Sequence, residues 1–251
     1  MPSPAPSTVT AASAAYAVAI ADTAEQVRAA QQLRHEVFGG ELGARLHSPR
    51  PGLDIDPFDA VADHLVVTET NSGEVVGTYR LIPPGRGGKL YAESEFELSG
   101  LDPIRSQLVE AGRSCVHPDH RTGAVINLLW SALARYVLLS GHAYLAGCAS
   151  VPLDDGGRAA ASAWLLGNAK HTPPAELRVH PHRPWQPAGP LDAAPSYADL
   201  PPLLRGYLRL GAWVCGAPAY DPEFGVADFY VLLPMANVPE RYRRYFLGED
   251  R

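Results

Sequence analysis

Residues 108–137, "LVEAGRSCVHPDHRTGAVINLLWSALARYV", constrain the fold more than any other stretch of the chain. The first nine are largely small or apolar and read as a buried strand. Proline, aspartate and glycine in "HPDHRTGA" then force a turn. Beyond it, Val125, Leu128, Leu129, Ala132, Leu133 and Tyr136 recur at helical spacing and form one apolar stripe. A strand that turns through glycine into a long amphipathic helix must pack that helix on its own sheet. The apolar run at 142–152 reads as a further buried strand. Strand, helix and strand are therefore expected to join parallel neighbours through a right-handed crossover.

Two charges sit inside the first strand of this unit. Glu110 and Arg113 are three residues apart, so a regular strand points them to opposite faces. Bringing both to one site requires a β-bulge, and Gly112 between them is the expected place for it. The turn carries a second signal. Free amides at a helix start can hold an anion, Gly123 allows close approach, and Arg121 adds charge. The pattern is neither GxxxxGK[ST] nor GxGxxG, which argues against a nucleoside triphosphate or a dinucleotide.

The flanking segments supply the rest of the architecture. "YAVAIAD" suits a first strand, and Thr23 can cap a helix running to about Phe38. Residues 39–63 hold four glycines, three prolines and four aspartates, the composition of a long loop. Leu42, Leu46, Leu53, Ile55 and Phe58 within it favour an ordered, functional loop. Residues 64–84 read as a hairpin turning at "NSGE", with Thr78, Arg80 and Ile82 on one face of its second strand. Residues 91–107 are expected to be irregular or one short helix. Helices are expected over 157–170 and 203–214, strands over 175–181 and 227–233, and a proline-rich connection over 182–202. These elements add up to an α/β (α+β) fold, a mixed twisted sheet with helices on both faces. Residues 1–13 read as a disordered Pro/Ala/Ser leader without the basic n-region of a signal peptide, and 14–251 as a single domain.

Charge and cysteine usage narrow the function classes. A formal net charge of -6 argues against a general nucleic-acid binder, which needs a basic face. Cys115, Cys148 and Cys215 have no CxxC spacing and fit a reduced, cytoplasmic protein, each as a small buried hydrophobe. No apolar run approaches the roughly 20 residues of a membrane helix.

Several separated motifs, in order, resemble one family. The strand–turn–helix at 108–137 is similar to motif A of the Gcn5-related N-acetyltransferase superfamily, with His120, Gly123 and Val125 at the pattern positions. "LRHEVF", "DIDPFDAVADHLVV", "GTYRLIPP", "EAGRSCVHPDHR", "GCASV" and "LPPLLRGYLRLGAWVCGAPAYDPEFGVADFYVLL" resemble the ornithine-lipid type N-acyltransferases. The N-terminal part is also similar to acyl-homoserine-lactone synthases. The resemblance implies a Gcn5-related N-acetyltransferase fold with a splayed central strand pair. It implies acyl transfer from acyl carrier protein, or from coenzyme A, to the α-amine of an amino acid, with ornithine the expected acceptor and a lyso-ornithine-lipid type product. The donor is thus an acyl-phosphopantetheine thioester, with no metal and no permanently bound cofactor. By position, Arg34, Phe38 and Arg80 correspond to substrate-binding residues, and Asp56, Asp59, Glu110 and Arg113 to the catalytic set. Cys115, Val116, His120, Arg121, Thr122, Gly123 and Ala124 line the expected donor turn.

The chemistry of such a transfer matches these residue types. An amino-acid carboxylate suits an arginine, for which Arg34, Arg80 and Arg113 are candidates. The ammonium must lose a proton before attacking a thioester, and Glu110, Asp56 or Asp59 can accept it. A backbone N–H near Cys115–Val116 can meet the oxyanion. Direct attack needs no covalent intermediate. Acyl carrier proteins are acidic, so a docking face around Arg121 and Arg135 is expected, with the enzyme cytoplasmic or peripheral at the inner face of the membrane. Other readings stay open: an internal ion-pair network with no chemistry, an acyl-homoserine-lactone synthase, or a non-catalytic module that binds an acyl carrier or lipid.

Overall fold

The computed structural model describes residues 11–13, 15–187, 189 and 194–247. In chain order, β1 (Ala11–Ala12) and β2 (Tyr16–Ile20) lead into α1 (Ala24–Arg34). The hairpin of β3 (Asp63–Glu69) and β4 (Val75–Ile82) follows, then the short β5 (Phe96–Glu97). Next come β6 (Leu108–Val116), α2 (Gly123–Leu139) and β7 (Tyr144–Pro152). The remainder comprises α3 (Arg158–Lys170), β8 (His180–Pro181), α4 (Pro202–Arg209) and β9 (Trp213–Val214). β10 (Ala219–Asp221), β11 (Val226–Pro234) and α5 (Glu240–Leu247) complete it. The chain divides into two compact units.

The first unit takes residues 1–88, 109–142 and 240–251. Its strands pair antiparallel in the order β1, β2, β3, β4, β6. α1 and α2 cover opposite faces. Gly77 of β4 meets α2 so closely that an added Cβ would lie 3.3 Å from Val125. Arg80, on the other face of β4, reaches Asp59, which Arg34 at the end of α1 also holds. The stripe on α2 is as expected: Val125, Leu129, Ala132, Leu133 and Tyr136 are buried. α2 stops at Gly141 (φ 71), where the amide of His142 donates to the Val137 carbonyl, a left-handed cap.

The second unit takes residues 89–108 and 143–239. β11 pairs antiparallel with β7 along its whole length, and on its other edge with β10 and then β9. Leu90, Phe96, Leu101, Ala146, Cys215, Tyr230 and Leu232 belong to its core.

Four expectations change. α1 does not end near Phe38 but passes after Arg34 into a π-helical run, His35–Glu41, closed by Leu42 N–H donating to Val37 O at 2.9 Å. Residues 175–181 are not one strand: Ala175–Leu177 form a 3-10 turn, Val179 bonds Cys215, and β8 is two residues long. Prolines 173 and 174 precede that turn, and the carbonyls of Glu176 and Arg178 approach Gly100 too closely for any side chain there. The helix expected to reach residue 214 stops at Arg209, because Gly211 (φ 93) turns the chain and Ala212 caps back to Tyr207. The leader expected over 1–13 falls largely outside the described residues, and Ala11–Ala12 pair with β2.

Candidate active site

The bulge expected in β6 is present, one residue later than expected. Arg80 pairs with Gly112 and Thr78 with Cys115, so Arg113 and Ser114 together face Tyr79. Arg113 sits at φ 51 and is the one non-glycine residue with positive φ among those described. Left-handed backbone costs an L-residue about 1–2 kcal/mol, so contacts made by the Arg113 side chain must hold it there.

Those contacts are carboxylates. Arg113 Nε lies 3.2 Å from Asp54 Oδ2, and its Nη2 3.4 Å from Asp56 Oδ2. Arg80 Nη1 reaches Asp56 Oδ1 at 2.6 Å and Asp59 Oδ1 at 3.1 Å. Arg34 reaches Asp59 Oδ2 at 2.8 Å and Asp54 Oδ2 at 2.9 Å, and also donates to the Asp54 carbonyl. Each arginine bridges two aspartates and each aspartate two arginines, which closes a ring of six alternating charges. Three guanidiniums against three carboxylates leave it neutral, the condition under which buried charge is tolerable. The Arg80 guanidinium also lies over the Phe58 ring, 5.6 Å from its centroid.

Local sequence shapes the acidic side of the ring. Asp56 caps the 3-10 helix Pro57–Val61 by accepting from Phe58 N–H at 2.9 Å, while Asp59 Oδ2 accepts from Asp56 N–H at 3.4 Å. The reciprocal cap fixes both side chains toward the arginines. Burial pushes the Asp59 carboxyl up, but the hydrogen bond and charge of Arg34, with the charges of Arg80 and His64, hold it below the usual range. His64, its ring 3.3 Å from the Asp59 carbonyl, is itself driven down by burial, against the pull of the Asp59 charge.

Exposure grades the ring. The Arg34 and Arg80 side chains are 0% and 2% exposed, whereas Arg113 and Asp56 are 15% and 18% exposed. The Arg113–Asp56 contact is both the longest ion pair of the ring and its most exposed edge. Glu110 pairs with Ile82, next to the Gly112–Arg80 pair, so it shares the face of Arg80. The bulge therefore brings Glu110 and Arg113 to one side. Glu110 is 3% exposed. Phe38 is buried in the π-helical run before the loop.

The donor turn expected at 117–124 forms in the same unit. Pro118–His120 make one 3-10 turn, and α2 begins at Gly123 with no acidic residue in its first turn and no side-chain cap from Thr122. Arg121, Thr122, Gly123 and Ala124 are exposed. His120 Nδ1 lies 3.1 Å from Tyr16 Oη, and Arg121 Nε donates to Val116 O at 3.2 Å. His117 N–H donates to Val76 O at 2.8 Å, so ladder alternation turns the Val116 amide away from β4. Burial pushes the Cys115 thiol up to about 12, which removes it as a nucleophile at neutral pH. Cys215 is buried likewise, whereas Cys148 is only partly buried. Arg135, expected at a docking face, donates to the Leu247 carbonyl at 3.5 Å and is partly buried.

Two residues of these sites escaped sequence reasoning. Asp54 completes the ring and was legible only as the first acid of "DIDPFD". Glu41, which pairs with Arg121, carried no motif at all. In the second unit, Glu95, Asp221 and Asp228 place carboxylate oxygens within 4.8 Å of one another, close enough to share a proton or a cation. Burial, with the charges of Asp228 and Asp221, pushes Glu95 up to about 9, so at neutral pH the trio shares a proton. No helix among the described residues is long and apolar enough to cross a membrane.

Comparison with known proteins agrees with this geometry. An acetyltransferase (GNAT) domain family matches residues 33–131, which include the ring, Glu110 and the turn. The L-ornithine N(alpha)-acyltransferase of Rhodobacter capsulatus is 35% identical over 252 aligned positions, covering 94% of this chain and 96% of its own. The protein of the same name from Brucella abortus is 32% identical, covering 92% and 89%. Among solved structures, a CoA-dependent acyl-homoserine lactone synthase shares the fold with a TM-score of 0.52 at 18% identity, covering 90% of this chain and 82% of its own. On these similarities the chain carries a GNAT domain and belongs to the L-ornithine N(alpha)-acyltransferase family of acyltransferases.

Proposed function

We propose that this enzyme transfers a long-chain acyl group from a phosphopantetheine thioester, carried by acyl carrier protein or coenzyme A, to the α-amine of ornithine. The observation that carries this reading is the bulge. It turns Arg113 out of a regular ladder onto the face of Glu110, at the exposed edge of a ring that is otherwise closed. Arg113 offers its guanidinium to the acceptor carboxylate, and Asp56 beside it faces the ammonium. Arg34 and Arg80, buried against aspartates, hold the loop and so position that edge.

Glu110 accepts the proton that the acceptor ammonium must lose. The freed nitrogen pair attacks the thioester carbonyl. The tetrahedral oxyanion takes a hydrogen bond from the Val116 amide, the C–S bond breaks, and the thiolate leaves with the surplus proton of the attacking nitrogen. The amide is formed with no acyl-enzyme. The donor's phosphate rests on the amides of Gly123 and Ala124, the Thr122 amide being held by the His120 carbonyl at 2.7 Å, with Arg121 and His120 beside it. Mass spectrometry of the product from an acyl carrier protein thioester and ornithine tests the reading. Nα-acyl-ornithine is expected; thiol release without an amide would overturn it.

A further inference from the structure

One contact joins the donor turn to a segment with no part in the transfer. Arg121 Nη1 donates to Glu41 Oε1 at 2.7 Å and Nη2 to Oε2 at 2.5 Å, so one carboxylate takes both terminal nitrogens. Glu41 is the last residue of the π-helical run. Gly39, Gly40 and Gly43 (φ 68) surround it, and its neighbour Leu42 is 59% exposed. The first turn of α2 has no acidic residue and Thr122 makes no cap, while Asp119 in the preceding turn is exposed to solvent.

We propose that Glu41 stands in for the donor's phosphate, occupying Arg121 in the free enzyme and being displaced when the phosphopantetheine arm arrives. This rests on reading 117–124 as the phosphate site. A guanidinium binds a carboxylate and a phosphate through the same paired nitrogens, so the two anions compete for one geometry. The Arg121 and Glu41 side chains are 42% and 36% exposed, and an ion pair so open to water exchanges cheaply. The arm's phosphodiester matches the single charge of the carboxylate and also meets the amides at the start of α2, so the exchange runs toward the donor. The flanking glycines let Glu41 swing away while Val37 and Phe38 stay buried. Arrival of the donor thereby releases the head of the 42–62 loop, which carries Asp54, Asp56 and Asp59.

The test uses two probes, an S-acyl phosphopantetheine and the same thioester without its phosphate, titrated into wild type, Glu41→Gln and Arg121→Gln. Glu41→Gln should tighten the phosphorylated probe about two- to five-fold, the range of an exposed ion pair, and leave the other probe and the kcat unchanged. Arg121→Gln should weaken the phosphorylated probe alone. If Arg121→Gln weakens it but Glu41→Gln leaves it unchanged or weakens it too, the competition is overturned while the phosphate site stands. If Arg121→Gln leaves both probes alike, the phosphate site itself falls, and the competition with it.

Discussion

Arg113 occupies a backbone conformation that glycine tolerates far better, and Gly112 lies next to it. The sequence pointed to the glycine because a bulge needs freedom at its first position. Ion pairing to Asp54 and Asp56 instead fixed the arginine there, and both partners lie far from it in the chain. Arg113→Gly removes the strain together with the ion pairs, so stability should change by no more than about 1 kcal/mol in urea unfolding, while acyl transfer falls at least about 100-fold. Arg34→Met should behave in the opposite manner. It leaves buried Asp54 and Asp59 with one arginine each instead of two and opens the ring at its most sealed point, and should cost about 3–5 kcal/mol, read from the same unfolding curves. The E-x-x-R spacing and the acids of the loop were legible as residues. Their pairing was not, since nothing in the spacing says which guanidinium is sealed and which is left at the edge.

Elements with strong local signals formed where the chain announced them. α2 was visible as an apolar stripe and β4 as an alternating run. The π-helical run was not visible, because a widened turn leaves the hydrophobic period almost unchanged. The run at 175–181 misled because its alternation looks like a strand, while two prolines and the close backbone approach at Gly100 favour a 3-10 turn. In the second unit, Glu95 is held protonated to about pH 9, against an ordinary value of 4.5. The unfolded chain releases that proton above 4.5 and the folded one keeps it, so this group erodes stability as pH rises from 4.5 toward 9. Glu95→Gln, which keeps the shape without the charge, should raise the Tm at pH 8 and lose its advantage near 4.5.

At the scale of the whole molecule, the ring links α1, the loop, β4 and β6, so its charge state bears on global unfolding of the first unit. Asp59 is depressed below 3.8 when folded. Its contribution is complete above that value, where the carboxyl is ionised in both states. It is lost as pH falls through the folded value, because the unfolded chain takes the proton first. Asp59→Asn should therefore flatten the acid limb of stability against pH between about 2 and 5, measured by urea unfolding. In the proposed reaction the bulge presents Arg113 to the acceptor's carboxylate. Comparing kcat/KM for ornithine and 1,4-diaminobutane, which differ only by that carboxylate, measures it directly in wild type and Arg113→Gln. A strong preference for ornithine that collapses toward unity in the variant is expected; a preference equally strong in Arg113→Gln would contradict that role for Arg113.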